Sequence, residues 1–222
     1  DARSLVGSEM CIRDRYNLYE VIKMLENLTD YIYIVVAALF AIILHEIAHG
    51  LVSTWLGDPT PKRQGRLSLN PLKHLDPIGT LCLIFFHVGW AKPVVVNPDY
   101  YKNKKRGMAL VALAGPLMNF LLAIFSIIIM AIFVKVNAYS NVLIIIYNFL
   151  LYFSVINLGL GLFNLIPIPP LDGSRILGAF LKDDTYEQYM KYERYGFIII
   201  AILLALSSLR GNGTSFISEL VH

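Results

Sequence analysis

Three residues, His45, Glu46 and His49, have the types and the spacing of a zinc-binding motif on a helix. Side chains four residues apart project from one helix face about one turn apart, so both imidazoles can reach one metal ion. Glu46, next to the first histidine, is predicted to be the base that accepts a proton from a water activated by the metal. The alternative is a surface helix end in which the histidines are incidental.

The residues around this motif favour the zinc hypothesis. Residues 31–44, directly before it, carry no charged side chain. A helix over residues 31–56, at 1.5 Å per residue, is long enough to cross a bilayer core of about 30 Å, and Gly-Asp-Pro at residues 57–59 ends it. Ionisable side chains inside a membrane span are costly and usually functional. The motif is therefore predicted at membrane depth, nearer the face where the helix ends.

The composition indicates an integral membrane protein. The chain has 222 residues, of which 56% are hydrophobic and 16% charged, and its mean hydropathy is +0.59. A soluble domain would carry about 25% charged residues. The net charge of +3 is mild and scattered, so nucleic acid is not an expected partner. The two cysteines, Cys11 and Cys82, imply neither a metal-ligand pair nor a disulfide framework.

The apolar segments predict an all-α polytopic membrane protein with about four membrane helices. After the first span, three segments are apolar and near span length, the last one marginally: residues 108–136, 142–166 and 195–209. Residues 78–88 are too short to cross and have basic residues on both sides, which predicts a re-entrant hairpin. Alternating side chains predict short strands near the active site, at residues 66–69 and 94–96, where an extended substrate could pair.

The chain is expected to form one domain over residues 16–210, with a short tail over residues 211–222. Residues 1–15 have no apolar period and resemble translated adaptor sequence or a disordered tail, so they are set aside from fold reasoning. Residues 16–30 are predicted to form an amphipathic helix at the membrane surface. Because positively charged loops favour the cytoplasmic face, the basic residues between positions 60 and 106 place the zinc motif towards the cytoplasm.

Asp172 is the candidate for a third zinc ligand. A catalytic zinc ion usually has three protein ligands, and Asp172 follows a break at membrane depth that contains Pro167, Pro169 and Pro170. Irregular backbone at that depth is tolerated only where protein or a water-filled cavity surrounds it, so a carboxylate there should pair with a cation. The alternative is that Asp172 only caps the helix that follows it.

Three motifs together resemble the site-2 proteases, a family of intramembrane zinc metalloproteases. They are His45-Glu46-x-x-His49-Gly50, Gly115-Pro116-x-x-Asn119, and Asn164-x-x-Pro167 leading to Leu171-Asp172-Gly173. The resemblance covers about residues 31–209, and residues 65–71 and 90–93 resemble the compact prokaryotic branch. A PDZ or CBS regulatory domain is therefore not expected.

The resemblance implies one zinc ion per chain, held by His45, His49 and Asp172, with Glu46 as the catalytic base. It also implies an endopeptidase that hydrolyses a peptide bond within or near the transmembrane segment of a single-span membrane protein. The expected location is a prokaryotic cell membrane, with the active site reached by water from the cytoplasmic side. Partners are therefore the lipid bilayer and the membrane protein substrate.

Two asparagines are predicted to support the site. Asn119 follows a Gly-Pro pair in a helix and could contact the substrate backbone or orient a ligand, as the resemblance suggests. The alternative is a hydrogen bond between helices. Asn164 is assigned a similar supporting role. His74 and His87 are predicted to be incidental to metal binding.

Two other classes of function compete with a protease. A metal-ion transporter could also place histidines and an aspartate in a membrane. However, the chain has no internal repeat, and its polar residues cluster at one depth instead of following a path. An inactive relative that serves as a binding scaffold is the third hypothesis, and the intact set of His45, Glu46, His49 and Asp172 argues against it.

Overall fold

The computed structural model describes residues 2–76, 92–136, 140–191 and 196, with side chains from residue 28 onward. This part of the chain contains six α-helices. They are α1 (Ala2–Trp55), α2 (Thr60–Arg63), α3 (Lys104–Lys135), α4 (Asn141–Asn164), α5 (Asp172–Gly178) and α6 (Asp183–Lys191). Two short 3-10 helices lie between α2 and α3, at Pro71–Lys73 and Pro98–Tyr100.

Three helices are long and apolar enough to cross a membrane: Leu28–Trp55 within α1, all of α3 and all of α4. They contain 28, 32 and 24 residues, and a bilayer core requires about 20. Three of the predicted spans are thus confirmed as helices. The fourth, at residues 195–209, lies outside the described residues except for Gly196, and the re-entrant hairpin at residues 78–88 lies outside them entirely.

The side chains of α3 show which of its faces would meet lipid. Its large apolar residues are 40–55% exposed at Leu110, Leu113, Leu117 and Leu121. Buried positions of the same stretch include the small residues Ala112 and Ala114 and the polar Asn119. Large apolar side chains on the exposed face and small or polar ones on the buried face are typical of a helix surrounded by lipid. In a membrane, helices pack against each other through small residues. The chain is an integral membrane protein.

α1 is one continuous helix, whereas the sequence predicted a surface helix over residues 16–30 and a separate span after it. That boundary is wrong. Neither glycine nor proline occurs between residues 8 and 49, so nothing in the backbone interrupts the helical hydrogen bonds. The helix also includes residues 2–15, which the sequence analysis set aside.

The C-terminal end of α1 lies where the sequence predicts it. Gly57 has a φ of 104°, a conformation that favours glycine. The N–H of Gly57 donates to the carbonyl oxygen of Thr54, and the N–H of Asp58 donates to that of Ser53, both at 3.1 Å. These two bonds form a Schellman motif, which satisfies carbonyl groups that the helix end leaves open.

The segments predicted as short strands do not form strands in the described structure. Both are irregular or extended backbone, and side chains occupy groups that a strand partner would need. The carbonyl oxygen of Ser68 lies 2.8 Å from His74 Nε2, and the N–H of Val94 donates to the carboxylate of Glu46. The strand prediction for residues 66–69 and 94–96 is therefore wrong.

The chain divides into two compact units, residues 1–41 with 122–157, and residues 42–121 with 158–222. In the first unit, the rings of Tyr33 and Tyr152 stack at 5.8 Å. In the second, Tyr101, Met108 and Val111 form a buried cluster against which Val52, Leu56 and Val96 pack. The C-terminal end of α1 therefore packs against the N-terminal part of α3. The second unit contains every candidate site residue.

Candidate metal centre

His45, His49 and Asp172 come together in the second unit, and their ligand atoms converge. The Nε2 atoms of the two histidines are 3.0 Å apart. Asp172 Oδ2 lies 3.2 Å from His45 Nε2 and 3.3 Å from His49 Nε2. Ligand atoms at 2.0–2.1 Å from a tetrahedral zinc ion are about 3.3 Å from each other. The separations therefore fit a common metal ion.

The state of Asp172 also fits a metal ligand. Its Oδ2 is buried and, among the described residues, accepts no hydrogen bond of good geometry, although both imidazoles lie close. Burial raises the pKa of Asp172, but the contacts with His45 and His49 outweigh burial and hold this pKa at about 2. At neutral pH the group is a carboxylate, which is the form that binds a metal.

The two histidines lie one turn apart on α1, as their spacing predicts. They are 5% and 8% exposed, and their rings meet edge to face with centroids 4.5 Å apart. Asp172 is the first residue of α5, where Leu171 is the capping residue and no side chain caps the helix. The alternative hypothesis, in which Asp172 only caps its helix, is therefore not what the structure shows.

α3 lies directly behind both imidazoles. A Cβ atom at Gly115 would come within 2.5 Å of His45 Cε1 and of His49 Cε1 and Nε2, so only glycine leaves room for the rings. His49 Nδ1 lies 2.6 Å from the carbonyl oxygen of Val111, and His45 Nδ1 lies 3.1 Å from the amide of Asn119. The Gly-Pro-x-x-Asn motif therefore contacts the predicted ligands.

The other polar candidates lie in different surroundings. The amide of Asn164 donates to the carbonyl oxygen of Leu160, one turn earlier in α4, at 3.0 Å. His74 is buried in the loop between α2 and α3 and is not a member of the metal group. His87 lies outside the described residues.

Comparison with known proteins agrees with this site. The model of peptidase family M50 matches residues 134–207. Several relatives carry the name putative zinc metalloprotease, among them YwhC and Rip2. YwhC of Bacillus subtilis is 38% identical over 176 residues, which is 77% of this chain and 79% of the relative. Rip2 of Mycolicibacterium smegmatis is 24% identical over 195 residues, 86% of this chain and 73% of the relative. This chain belongs to peptidase family M50, the site-2 protease family.

The M50 assignment makes the chain a zinc metalloendopeptidase. The zinc metalloprotease MJ0392 of Methanocaldococcus jannaschii is 42% identical to it over 82 residues, 36% of this chain and 22% of the relative. No solved structure matches the chain significantly. The region matched by the M50 model contains Asp172 but neither histidine, whereas the structure brings all three together.

The side chain of Glu46, which follows His45 in the sequence, accepts a hydrogen bond from the backbone. The N–H of Val94 donates to Glu46 Oε2 at 2.8 Å. Val94 lies in the extended segment 92–97, so the contact joins that segment to α1. This N–H group is consequently engaged and cannot pair with a substrate strand while the contact persists.

Asp58 is a buried residue for which the sequence predicted no role beyond its place at a helix end. Its Oδ2 accepts hydrogen bonds from Ser53 Oγ at 2.8 Å and from the N–H of Asn97 at 2.7 Å, and its Oδ1 accepts one from the N–H of Thr60 at 2.9 Å. Burial raises the pKa of Asp58, but these hydrogen bonds to the carboxylate lower it by more. The pKa of Asp58 is therefore below its ordinary value of 3.8. Asp58 thus anchors Asn97, three residues beyond the N–H that holds Glu46.

Gly115→Ala should weaken zinc binding, because the added Cβ would push the imidazoles of His45 and His49 apart. We expect the zinc dissociation constant to rise about tenfold to a hundredfold, measured by competition with a chelator. The control is Gly159→Ala in α4, where a Cβ meets nothing within 4 Å. Equal zinc affinity in the two variants would contradict the packing of α3 against the site.

Asp58→Asn should lower the free energy of unfolding by about 1–3 kcal/mol, because one buried donor loses its acceptor. The folded pKa of Asp58 is depressed, so its stabilisation is present above the unfolded pKa of about 3.9 and is lost as the pH falls through the folded value. The difference between wild type and variant should therefore shrink in acid, as followed by unfolding in detergent. The exposed Asp99, as Asp99→Asn, should change stability little. A pH-independent difference would count against the ionised network.

Proposed function

We propose that this M50 peptidase cleaves a peptide bond within or next to the transmembrane segment of a single-span membrane protein. The position of the histidines carries the proposal. Both lie inside the span Leu28–Trp55 and are buried, so the metal group is on a helix that crosses the membrane. A peptidase with its ligands at that depth can reach peptide bonds that a soluble enzyme cannot.

His45, His49 and Asp172 are the residues that would hold the zinc ion. When bound, zinc supplies Lewis-acid chemistry, which makes water more acidic and polarises a peptide carbonyl group. Glu46 is the general base. It accepts a proton from the attacking water as the oxygen bonds to the carbonyl carbon, and it gives this proton to the amine nitrogen as the C–N bond breaks.

The bond from Val94 positions Glu46 for this step. The N–H of Val94 engages Oε2, which fixes the direction of the carboxylate and leaves Oε1 to exchange the proton. The network around Asp58 holds the far end of the same segment through Asn97. The segment 92–97 thus orients the base without supplying a titratable group of its own.

The substrate must expose a peptide bond that a membrane helix normally hides. Every carbonyl group in a helix interior accepts a hydrogen bond from the N–H four residues later, so the substrate has to unwind locally before water can attack. Residues with low helix propensity near the cleaved bond reduce the cost of unwinding. We therefore propose that preferred substrates carry such residues near the cut.

Loss of the base should separate chemistry from metal binding. Glu46→Gln keeps the size of the side chain but cannot accept the proton, so cleavage should fall by about 10²- to 10⁴-fold. Zinc content should stay at one per chain. The assay uses purified protein in liposomes with a single-span substrate, one version having a Gly-Pro pair in its span and one having leucines there.

The matched control for this assay is His49→Ala, which should lose both zinc and cleavage. Cleavage by Glu46→Gln at the wild-type rate would contradict the base role. Zinc retention by wild type with no cleavage of either substrate, together with zinc flux into the liposomes, would instead favour a transporter.

We also propose that the active site opens towards the cytoplasm of a prokaryotic cell. Among the described residues, the connection between α1 and α3 is rich in basic side chains, which include Lys62, Arg63, Arg66 and Lys73. Cytoplasmic loops carry such an excess of lysine and arginine. The relatives reported above come from bacteria and an archaeon, which supports a prokaryotic membrane.

Cysteine labelling tests this orientation. In a background without Cys11 and Cys82, we expect Lys73→Cys to react with a membrane-impermeant maleimide only after the cells are permeabilised. Ser140→Cys, in the link between α3 and α4, should react in intact cells. The reverse pattern would place the site on the outer side.

A further inference from the structure

We propose that Asn119 is a positioning residue that accepts a hydrogen bond from His45 Nδ1 and so keeps His45 Nε2 free to bind the metal. This inference rests on the proposed metal site but not on the nature of the substrate. It assigns Asn119 to the metal group. The sequence had left two other roles open, a contact with the substrate backbone and a hydrogen bond between helices.

One polar atom of the buried Asn119 amide has no hydrogen-bond partner among the described residues. The residue is completely buried, and the amide atom placed next to His45 Nδ1, at 3.1 Å, is Nδ2. Its Oδ1 is buried and has no hydrogen-bond partner in the described part of the chain. An unpaired buried acceptor is destabilising, because it has lost its hydrogen bonds to water without gaining a partner. The two ends of an amide have the same shape, so hydrogen-bond partners decide its orientation.

The proton on His45 decides between the two orientations. If Nδ2 donates to Nδ1, the proton of the neutral imidazole must be on Nε2. That atom faces His49 Nε2 at 3.0 Å and Asp172 Oδ2 at 3.2 Å, where a metal ligand needs a lone pair. If the amide is rotated by half a turn, Nδ1 carries the proton and donates to Oδ1. The buried oxygen then has a partner, and Nε2 is free.

His49 has the matching arrangement. Its Nδ1 lies 2.6 Å from the carbonyl oxygen of Val111, a group that can only accept, so the proton of a neutral His49 is on Nδ1. Val111, Gly115 and Asn119 are spaced four residues apart and form one stripe along α3. The stripe gives each imidazole a carbonyl acceptor, and the glycine between them gives the rings room. Acceptors of this kind fix the tautomer and orientation of metal-binding histidines.

Two variants separate this role from packing. Asn119→Asp keeps the shape and the acceptor but has no N–H, whereas Asn119→Leu keeps a similar volume and can form no hydrogen bond. We expect Asn119→Leu to raise the zinc dissociation constant about 10- to 100-fold and Asn119→Asp to leave it unchanged or lower it. The measurement is chelator competition with purified protein, which requires no substrate.

Three results would overturn the inference. If both variants weaken zinc binding equally, the N–H or the packing matters and the acceptor does not. If all three proteins bind zinc equally, Asn119 has no positioning role, although the metal site stands. If wild type binds no zinc, the metal site and this inference both fail.

A second measurement covers the case in which a variant does not fold. In zinc-loaded wild type labelled with ¹⁵N-histidine, His45 should carry its proton on Nδ1 and bind the metal through Nε2. The signal is assigned by its loss in His45→Gln. A proton on His45 Nε2 would overturn the inference.

Discussion

The carboxylate of Asp172 lies with its buried Oδ2 against two buried imidazoles, and the rest of the site depends on this contact. A buried ionised oxygen is costly unless an opposite charge or a hydrogen bond meets it. The contact therefore constrains three parts of the chain at once. α1 must present His45 and His49 on one face, α3 must leave space at Gly115, and the chain after α4 must break before Asp172.

Two other carboxylates of the second unit, those of Glu46 and Asp58, accept hydrogen bonds from backbone N–H groups. Val94 donates to Glu46, and Asn97 and Thr60 donate to Asp58. Both Val94 and Asn97 belong to one extended segment, which therefore links Glu46 to the end of α1. A backbone donor fixes a carboxylate oxygen without adding a second group that exchanges protons, which suits the base role proposed for Glu46.

The parts of the fold and site that were predictable from sequence depend on local regularity. The length of the apolar segments predicted the three described spans, and the spacing of His45 and His49 identified two ligand candidates. Asp172 was predicted as a ligand because it follows a proline-containing break between helices. A carboxylate at such a break is expected to pair with a cation. The prediction of strands at residues 66–69 and 94–96 was wrong. The alternation of side chains along a segment does not show that His74 and Glu46 contact backbone groups of Ser68 and Val94. The role of Asp58 depends on Asn97, which is distant in sequence, and no local pattern shows that contact.

The most direct test of the central claim is X-ray absorption spectroscopy of the zinc in the purified protein. If His45, His49 and Asp172 bind the ion, wild type should show only nitrogen and oxygen neighbours at about 2.0–2.2 Å, with imidazole scattering. Asp172→Cys should then add one sulfur neighbour at about 2.3 Å. A sulfur neighbour in wild type, or none in Asp172→Cys that still binds zinc, would show that the metal is held elsewhere.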